Sequence, residues 1–233
     1  MKRVFSLMLS LIVALTLTAC KSSSSSADET QDNEIQAQTE TQQETKQQEE
    51  VQQEEVQIPD PVVYTGSGDD VIQIDPPDSE YVFRISGNQG GEYFAVKAYD
   101  SLAEYIDLLV NTTSAYSGVT YDPTQSTALL EINATGDWTV ELVSIYAMEA
   151  LISGNSISGE GDTVLQVFPP VLTADITGNE NSDYFAVKSY DTNGDYLDLL
   201  VNTTDPYSGT VMMGLDTSTL VISAEGPWTI TAG

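Results

Sequence analysis

The chain has 233 residues, 36 acidic against 7 basic side chains, a formal net charge of −29, no histidine and one cysteine. A field of that sign repels nucleic acid and anionic lipid headgroups, and no basic patch offsets it. A lone cysteine and no histidine exclude intrachain disulfides, Cys/His zinc centres and histidine-based catalytic triads, so any folded part must be held by an apolar core.

At the N-terminus Lys2 and Arg3 precede an apolar or small run from Phe5 to Ala19. The run is shorter than the roughly 20 apolar residues that span a bilayer. A basic start followed by an apolar middle is the layout of a secretory signal. The run ends Leu17-Thr18-Ala19-Cys20, which resembles the lipobox of bacterial lipoproteins. That resemblance implies diacylglyceryl transfer to the Cys20 thiol, cleavage after Ala19, and an extracytoplasmic chain lipid-anchored to the bacterial cell membrane or outer membrane. Two or more acyl chains hold stably where one binds marginally. Residues 1–19 are therefore expected to be a signal peptide, and 20–61 the lipidated cysteine and a tether. The tether holds the serine run Ser22 to Ser26 and a Gln/Glu/Thr tract such as Gln47-Gln48-Glu49-Glu50. It is too poor in apolar residues to offset the entropy of folding and is expected to be disordered. Fully extended, about 40 residues reach on the order of 130 Å.

The rest of the chain is a tandem repeat. Gly68-Asp69-Asp70-Val71 corresponds to Gly161-Asp162-Thr163-Val164, and Gly87-Asn88 to Gly178-Asn179. Tyr93-Phe94-Ala95-Val96-Lys97 is repeated as Tyr184-Phe185-Ala186-Val187-Lys188, and Leu108-Leu109-Val110-Asn111-Thr112-Thr113 as Leu199-Leu200-Val201-Asn202-Thr203-Thr204. Tyr116-Ser117-Gly118 recurs at Tyr207-Ser208-Gly209, and Gly136-Asp137-Trp138 at Gly226-Pro227-Trp228. A period of about 90 residues suits a small domain rather than a solenoid unit. The expected division is one repeat at 62–147, a connector at 148–155 with a helical turn near Ala147 to Leu151, and a second repeat at 156–233.

Each copy reads as β-structure. Phe94, Val96 and Ala98 alternate with Tyr93, Lys97 and Tyr99, the period of two of a half-buried strand. Ile106, Leu108 and Val110 are the expected core side of the next strand; Leu130, Ile132 and Ala134, then Trp138, Val140 and Leu142, continue the pattern. About seven short strands per copy, with turn signals every 8–12 residues, predict two tandem antiparallel β-sandwiches of jelly-roll or Ig-like type. The Gly-x-Trp strands at Gly136-Asp137-Trp138 and Gly226-Pro227-Trp228 resemble the late hairpin of pre-peptidase C-terminal β-sandwiches of secreted bacterial proteins. The set Asp-Leu-Leu-Val-Asn, Tyr-Ser-Gly-Thr and Gly-x-Trp-Thr is similar to a pattern in extracytoplasmic bacterial proteins of unassigned function. Copy two carries it whole, whereas copy one has Val119 in place of the threonine. The resemblance implies a fold and a location but no activity.

Three kinds of chemistry have candidate residues. Tyr93, Lys97 and Tyr99, with Tyr184, Lys188 and Tyr190, fall on the side away from the expected core. Aromatics there can stack on sugar rings or anchor a protein partner, and they also simply suit strands. Asp191, Asn193 and Asp195 place oxygens at alternate positions, like the first half of a calcium loop, although Asn193-Gly194 is equally a favoured hairpin turn. Copy one has Asp100-Ser101-Leu102-Ala103-Glu104 there, without the pattern. Asp69 and Asp162, each after a glycine, are a second option for a cation or a turn. No carboxylate pair is marked for acid–base work, and a Ser–Lys dyad would need Lys97 or Lys188. The expectation is a surface-anchored lipoprotein that is a non-catalytic binding or protein-interaction module, with no cofactor unless calcium. Its partners would be the membrane through Cys20 and an envelope protein or glycan, not nucleic acid. The alternatives are a carbohydrate- or calcium-binding module, or an accessory subunit of an envelope enzyme or transporter.

Overall fold

A computed structural model of the chain describes residues 57–168, 171–181 and 183–233. The signal segment, Cys20 and residues 20–56 of the tether lie outside them, as do Pro169 and Pro170. The described residues belong to one compact unit, Glu54–Gly233.

The first repeat contributes β1 (Val62–Ser67), β2 (Asp70–Gln73), β3 (Tyr81–Gly87), β4 (Phe94–Tyr99), β5 (Tyr105–Thr112), β6 (Tyr116–Thr120), β7 (Leu129–Ala134) and β8 (Asp137–Ser144). The second contributes β9 (Ala150–Ile152), β10 (Ser156–Glu160), β11 (Thr163–Phe168), β12 (Thr173–Gly178), β13 (Phe185–Tyr190), β14 (Tyr196–Thr203), β15 (Tyr207–Met212), β16 (Thr219–Ala224) and β17 (Pro227–Ala232). Strands pair only within their own repeat. The sheets run β1-β8-β3-β6 and β2-β7-β4-β5 in the first, and β10-β17-β12-β15 and β14-β13-β16-β11-β9 in the second. All pairings are antiparallel except β9 with β11. The fold is thus the expected all-β sandwich, with eight strands in the first repeat rather than seven.

Period-two alternation sends Tyr81, Phe83, Ile85, Phe94, Val96, Leu130, Ile132, Trp138 and Val140 into the first core. Ile176, Phe185, Val187, Leu220, Ile222, Trp228 and Ile230 fill the second. Burial of these side chains contributes roughly 1.5–3 kcal/mol each, the main term opposing chain entropy. One strand departs from simple alternation. In β5 the buried residues are Leu109 and Val110, while Leu108 is exposed and Ile106 only partly buried. The cause is a pair of register shifts between β4 and β5, at Val96/Lys97 and Ala98/Tyr99. Each adds a residue to one strand and reverses the facing beyond it.

The turn before β2 and its counterpart before β11 are built identically. Gly68 and Gly161 both sit at φ +75°, a conformation L side chains rarely adopt. Two residues earlier, Gly66 and Gly159 lie under indole rings. A Cβ at Gly66 would stand 2.2 Å from Trp138 Cζ2, and one at Gly159 2.3 Å from Trp228 Cζ2. The indole N–H of Trp138 donates to the Gly68 carbonyl and that of Trp228 to the Gly161 carbonyl, both at 3.0 Å. Asp69 Oδ1 and Asp162 Oδ1 then accept from the amides of Ala134 and Ala224, at 2.9 Å each. A motif Gly-x-Gly-Asp paired with a distant Gly-x-Trp therefore closes one end of each sandwich.

Between the repeats the chain makes a single 3-10 turn at Ile145–Ala147, capped by the Ser144 hydroxyl. It then enters β9, inside the interval expected to be a connector.

Candidate functional site

The tyrosine and lysine candidates do not act as one face. Tyr93 and Tyr184 precede their strands and are exposed. In the first repeat Lys97 pairs with Glu131 at 2.7 Å, and the Tyr99 hydroxyl donates to the other oxygen of the same carboxylate at 2.8 Å. Those two bonds hold the Glu131 carboxyl below its usual range. Register explains the pairing, because Lys97 lies opposite Glu131 across the β4–β7 ladder. In the second repeat Lys188 lies opposite Val221 instead, so the network exists in one copy only. Tyr190 is not on an open face. Its ring meets Tyr121 of the first repeat edge-on at 5.8 Å and Tyr196 at 5.9 Å.

The Asp191 loop is a hairpin turn held by its own side chain. Asp191 Oδ1 accepts from the amides of Asn193 and Asp195 at 2.8 and 2.9 Å. These bonds draw its carboxyl below the ordinary value, the Asp195 amide most. Asp100 does the same in the first repeat, accepting from Leu102 and Glu104 at 2.8 Å. That loop lacks the oxygen pattern yet has the same shape, so the aspartate is accounted for as a turn former. Among the described residues no group of three or more acidic side chains is placed to hold a metal ion.

The structure draws other residues together at the junction of the repeats. Val82, Tyr121, Val143 and Ile145 of the first repeat pack with Val164 of the second, flanked by Val119, Met148, Tyr190 and Val221. The edge strand β6 meets the Gly161-Asp162 turn. The Val119 amide donates to the Asp162 carbonyl at 2.9 Å, and the Tyr116 hydroxyl donates to Asp162 Oδ2 at 2.7 Å. Burial, then the Asp162 carboxylate, pushes the Tyr116 hydroxyl far above its usual range. Gly194 passes the Pro123 carbonyl so closely that a Cβ there would stand 2.1 Å from its oxygen. The sequence marks these contacts only faintly, through the retained Tyr-Ser-Gly and Gly-Asp pairs.

Burial raises the Asp162 carboxyl above its ordinary value, against the lowering effect of its two hydrogen bonds. A carboxyl with a raised folded-state pKa binds its proton more tightly when folded. Its charge therefore weakens the fold at neutral pH, and the loss is recovered as pH falls through the raised value toward the ordinary one. Asp162→Asn should remove this dependence, so that the wild type gains stability relative to the variant on acidification. Parallel stability–pH curves from urea titrations would refute it.

Several cavities open along the junction. One of about 520 Å³ is lined by Glu80, Tyr146, Asp191, Asn193 and residues 215–219, and one of about 320 Å³ by Pro76–Tyr81, Tyr121 and 192–194. A third, about 260 Å³, lies between Ser117 and Ser158, and a depression of about 420 Å³ occupies the outer face of the β10-β17-β12-β15 sheet. None of the four takes in Tyr93, Tyr99, Tyr184 or Tyr190.

No family model matches the sequence, and no curated protein does. Among solved structures, a regulatory subunit of a cAMP-independent protein kinase A from Trypanosoma cruzi, bound to guanosine, aligns at 7% identity and a TM-score of 0.21, over 74% of this chain and 72% of that one. The corresponding subunit from Trypanosoma brucei aligns at 8% and 0.22, over 74% of each chain. Likeness at that level carries no functional argument.

Proposed function

We propose that the chain is a lipid-anchored, extracytoplasmic, non-catalytic binding module. The observation that supports this most is the junction. Two sandwiches are locked into one body by the contact of β6 with the Gly161-Asp162 turn, which creates cavities walled by both repeats. A docked pair with composite cavities presents a surface larger than either domain offers alone, which suits a binding module. Several of the groups that chemistry could use are engaged in structure: Lys97 by Glu131, and Asp191, Asp69 and Asp162 by backbone amides. The strongly acidic surface suits a module held clear of an anionic membrane.

The anchor is tested at Cys20. Cells fed labelled palmitate should carry label on the wild-type protein in the membrane fraction. Cys20→Ala should be unlabelled and should leave that fraction. A variant that stays membrane-bound, or a wild type without label, would remove the anchor from the proposal.

A further inference from the structure

One row of outward-facing positions is occupied by hydroxyls in both repeats. In the first, Thr65, Thr139, Ser86 and Ser117 stand side by side across β1, β8, β3 and β6. In the second, Ser158, Thr229, Thr177 and Ser208 stand across β10, β17, β12 and β15. Every one of these positions is Ser or Thr. The adjacent outward row has diverged: Val63, Glu141, Arg84 and Val119 in one copy face Ser156, Thr231, Asp175 and Thr210 in the other. General suitability of threonine for strands applies equally to both rows, so it does not explain why only one is retained.

In the second repeat, and at Ser117 of the first, the row lies where the surface is concave. All four hydroxyl residues of the second repeat line the 420 Å³ depression, with Tyr207, Trp228, Pro206, Pro227 and Glu180 around them. That depression shares Ser158, Gly159 and Trp228 with the 260 Å³ junction cavity, whose opposite wall carries Ser117, the last hydroxyl of the first row. A groove thus runs from Ser208 to Ser158 and reaches Ser117 across the junction. Within the row only Ser158 and Thr229 hydrogen-bond each other, at 2.8 Å; among the described residues the other six hydroxyls have no side-chain hydrogen bond to protein.

We infer that this groove binds a linear, uncharged or amino-substituted glycan. Neighbouring strands space the hydroxyls about 4.8 Å apart, so they form a regular series of donors and acceptors suited to a polymer with a regular series of its own. Pro206 and Pro227 offer apolar faces to sugar rings beside the row, while the Tyr207 ring is packed on the second core, 6.4 Å from Phe185. Glu180 in the depression, with Glu149, Glu160 and Asp162 in the junction cavity, outweighs that cavity's Arg84, which is paired with Glu141, and disfavours uronic or sulfated chains. The inference rests on the binding-module proposal and names its ligand.

The test is an oligosaccharide array of neutral, amino-sugar and uronic chains probed with residues 57–233, alongside Thr177→Val/Thr229→Val. Valine keeps the shape and strand preference and deletes the hydroxyl. The wild type should bind neutral or amino-sugar chains. The double variant should bind them about thirtyfold more weakly, given about 1 kcal/mol for each of two hydrogen bonds, and should stay folded, with a melting temperature lowered by no more than the few degrees that loss of the exposed Ser158–Thr229 bond costs. No oligosaccharide bound, preference for uronic chains, or undiminished binding by the double variant would overturn it. Binding of both proteins to whole cells is measured in parallel. Equal cell binding without array binding removes the glycan groove and leaves the module standing, whereas no cell binding by either removes both.

Discussion

Asp122→Ala should unfold the first repeat at a temperature on the order of 10 °C lower, a loss of about 3–5 kcal/mol. Asp122 is fully buried and organises the loop between β6 and β7. Its carboxylate accepts from the Thr124 amide at 2.8 Å and hydroxyl at 2.6 Å, the Ser126 and Thr127 amides at 3.0 Å, and the Thr127 hydroxyl at 2.7 Å. Thr124 and Ser126 are exposed and would turn to water, but alanine would strand the buried Thr127 amide and hydroxyl, and a donor left unsatisfied in the interior costs its full desolvation. The second repeat shows the consequence. There Gly214 takes the same place in the turn, its carbonyl accepting from the Thr217 amide as that of Asp122 accepts from the Gln125 amide, and the buried Thr217 hydroxyl has no partner. Asp122→Asn, which keeps one acceptor oxygen, should lose less. Calorimetry that places the alanine variant within about 2 °C of wild type would contradict this account.

Gly159→Ala should cost the second repeat about 2–3 kcal/mol, the upper part of the roughly 1–3 kcal/mol typical for forcing a methyl into a packed core. The new carbon would lie 2.3 Å from Trp228 Cζ2, so the indole must move. Moving it breaks its N–H bond to the Gly161 carbonyl and frees the turn that carries Asp162. Two readouts should therefore change together: the melting temperature, and tryptophan emission, which should shift to the red as the ring meets water. Gly66→Ala should do the same in the first repeat through Trp138. An alanine variant with wild-type emission and stability would show that the ring has room the structure does not provide.

Much of the fold is legible in the residues because local rules decide it. Alternation in Phe94 to Tyr99 and in Leu130 to Ala134 follows from a solvent face and a core face. The Asp191 loop is recognisable as a turn because Asn193-Gly194 is a favoured turn pair, though not the way Asp191 braces it by accepting from the amides two and four residues on. What escapes the sequence depends on alignment between distant segments. Leu108 and Leu109 exchange places because of register shifts, and nothing in Leu-Leu-Val announces a bulge. Lys97 and Glu131 become a pair only when β4 and β7 are in register. Tyr190 looks solvent-facing within its own repeat, and only the docking of Tyr121 from the other copy covers it. The Gly-Asp turns at Gly68-Asp69 and Gly161-Asp162 are visible twice over, yet Gly66 and Gly159 gain meaning only once an indole lies on them.

The close passage of Gly194 under the Pro123 carbonyl reaches beyond this junction. The matching turn residue of the first repeat is Ala103, held in the same left-handed conformation at φ +59°. Its methyl group stands where the junction tolerates only hydrogen, and Glu131 occupies the place of the junction's Val221. The two copies have thus become a lock and a key that fit in one order only. Duplicating a repeat once more at the front would lengthen the chain without repeating this junction, because the new neighbour would find its seat already blocked.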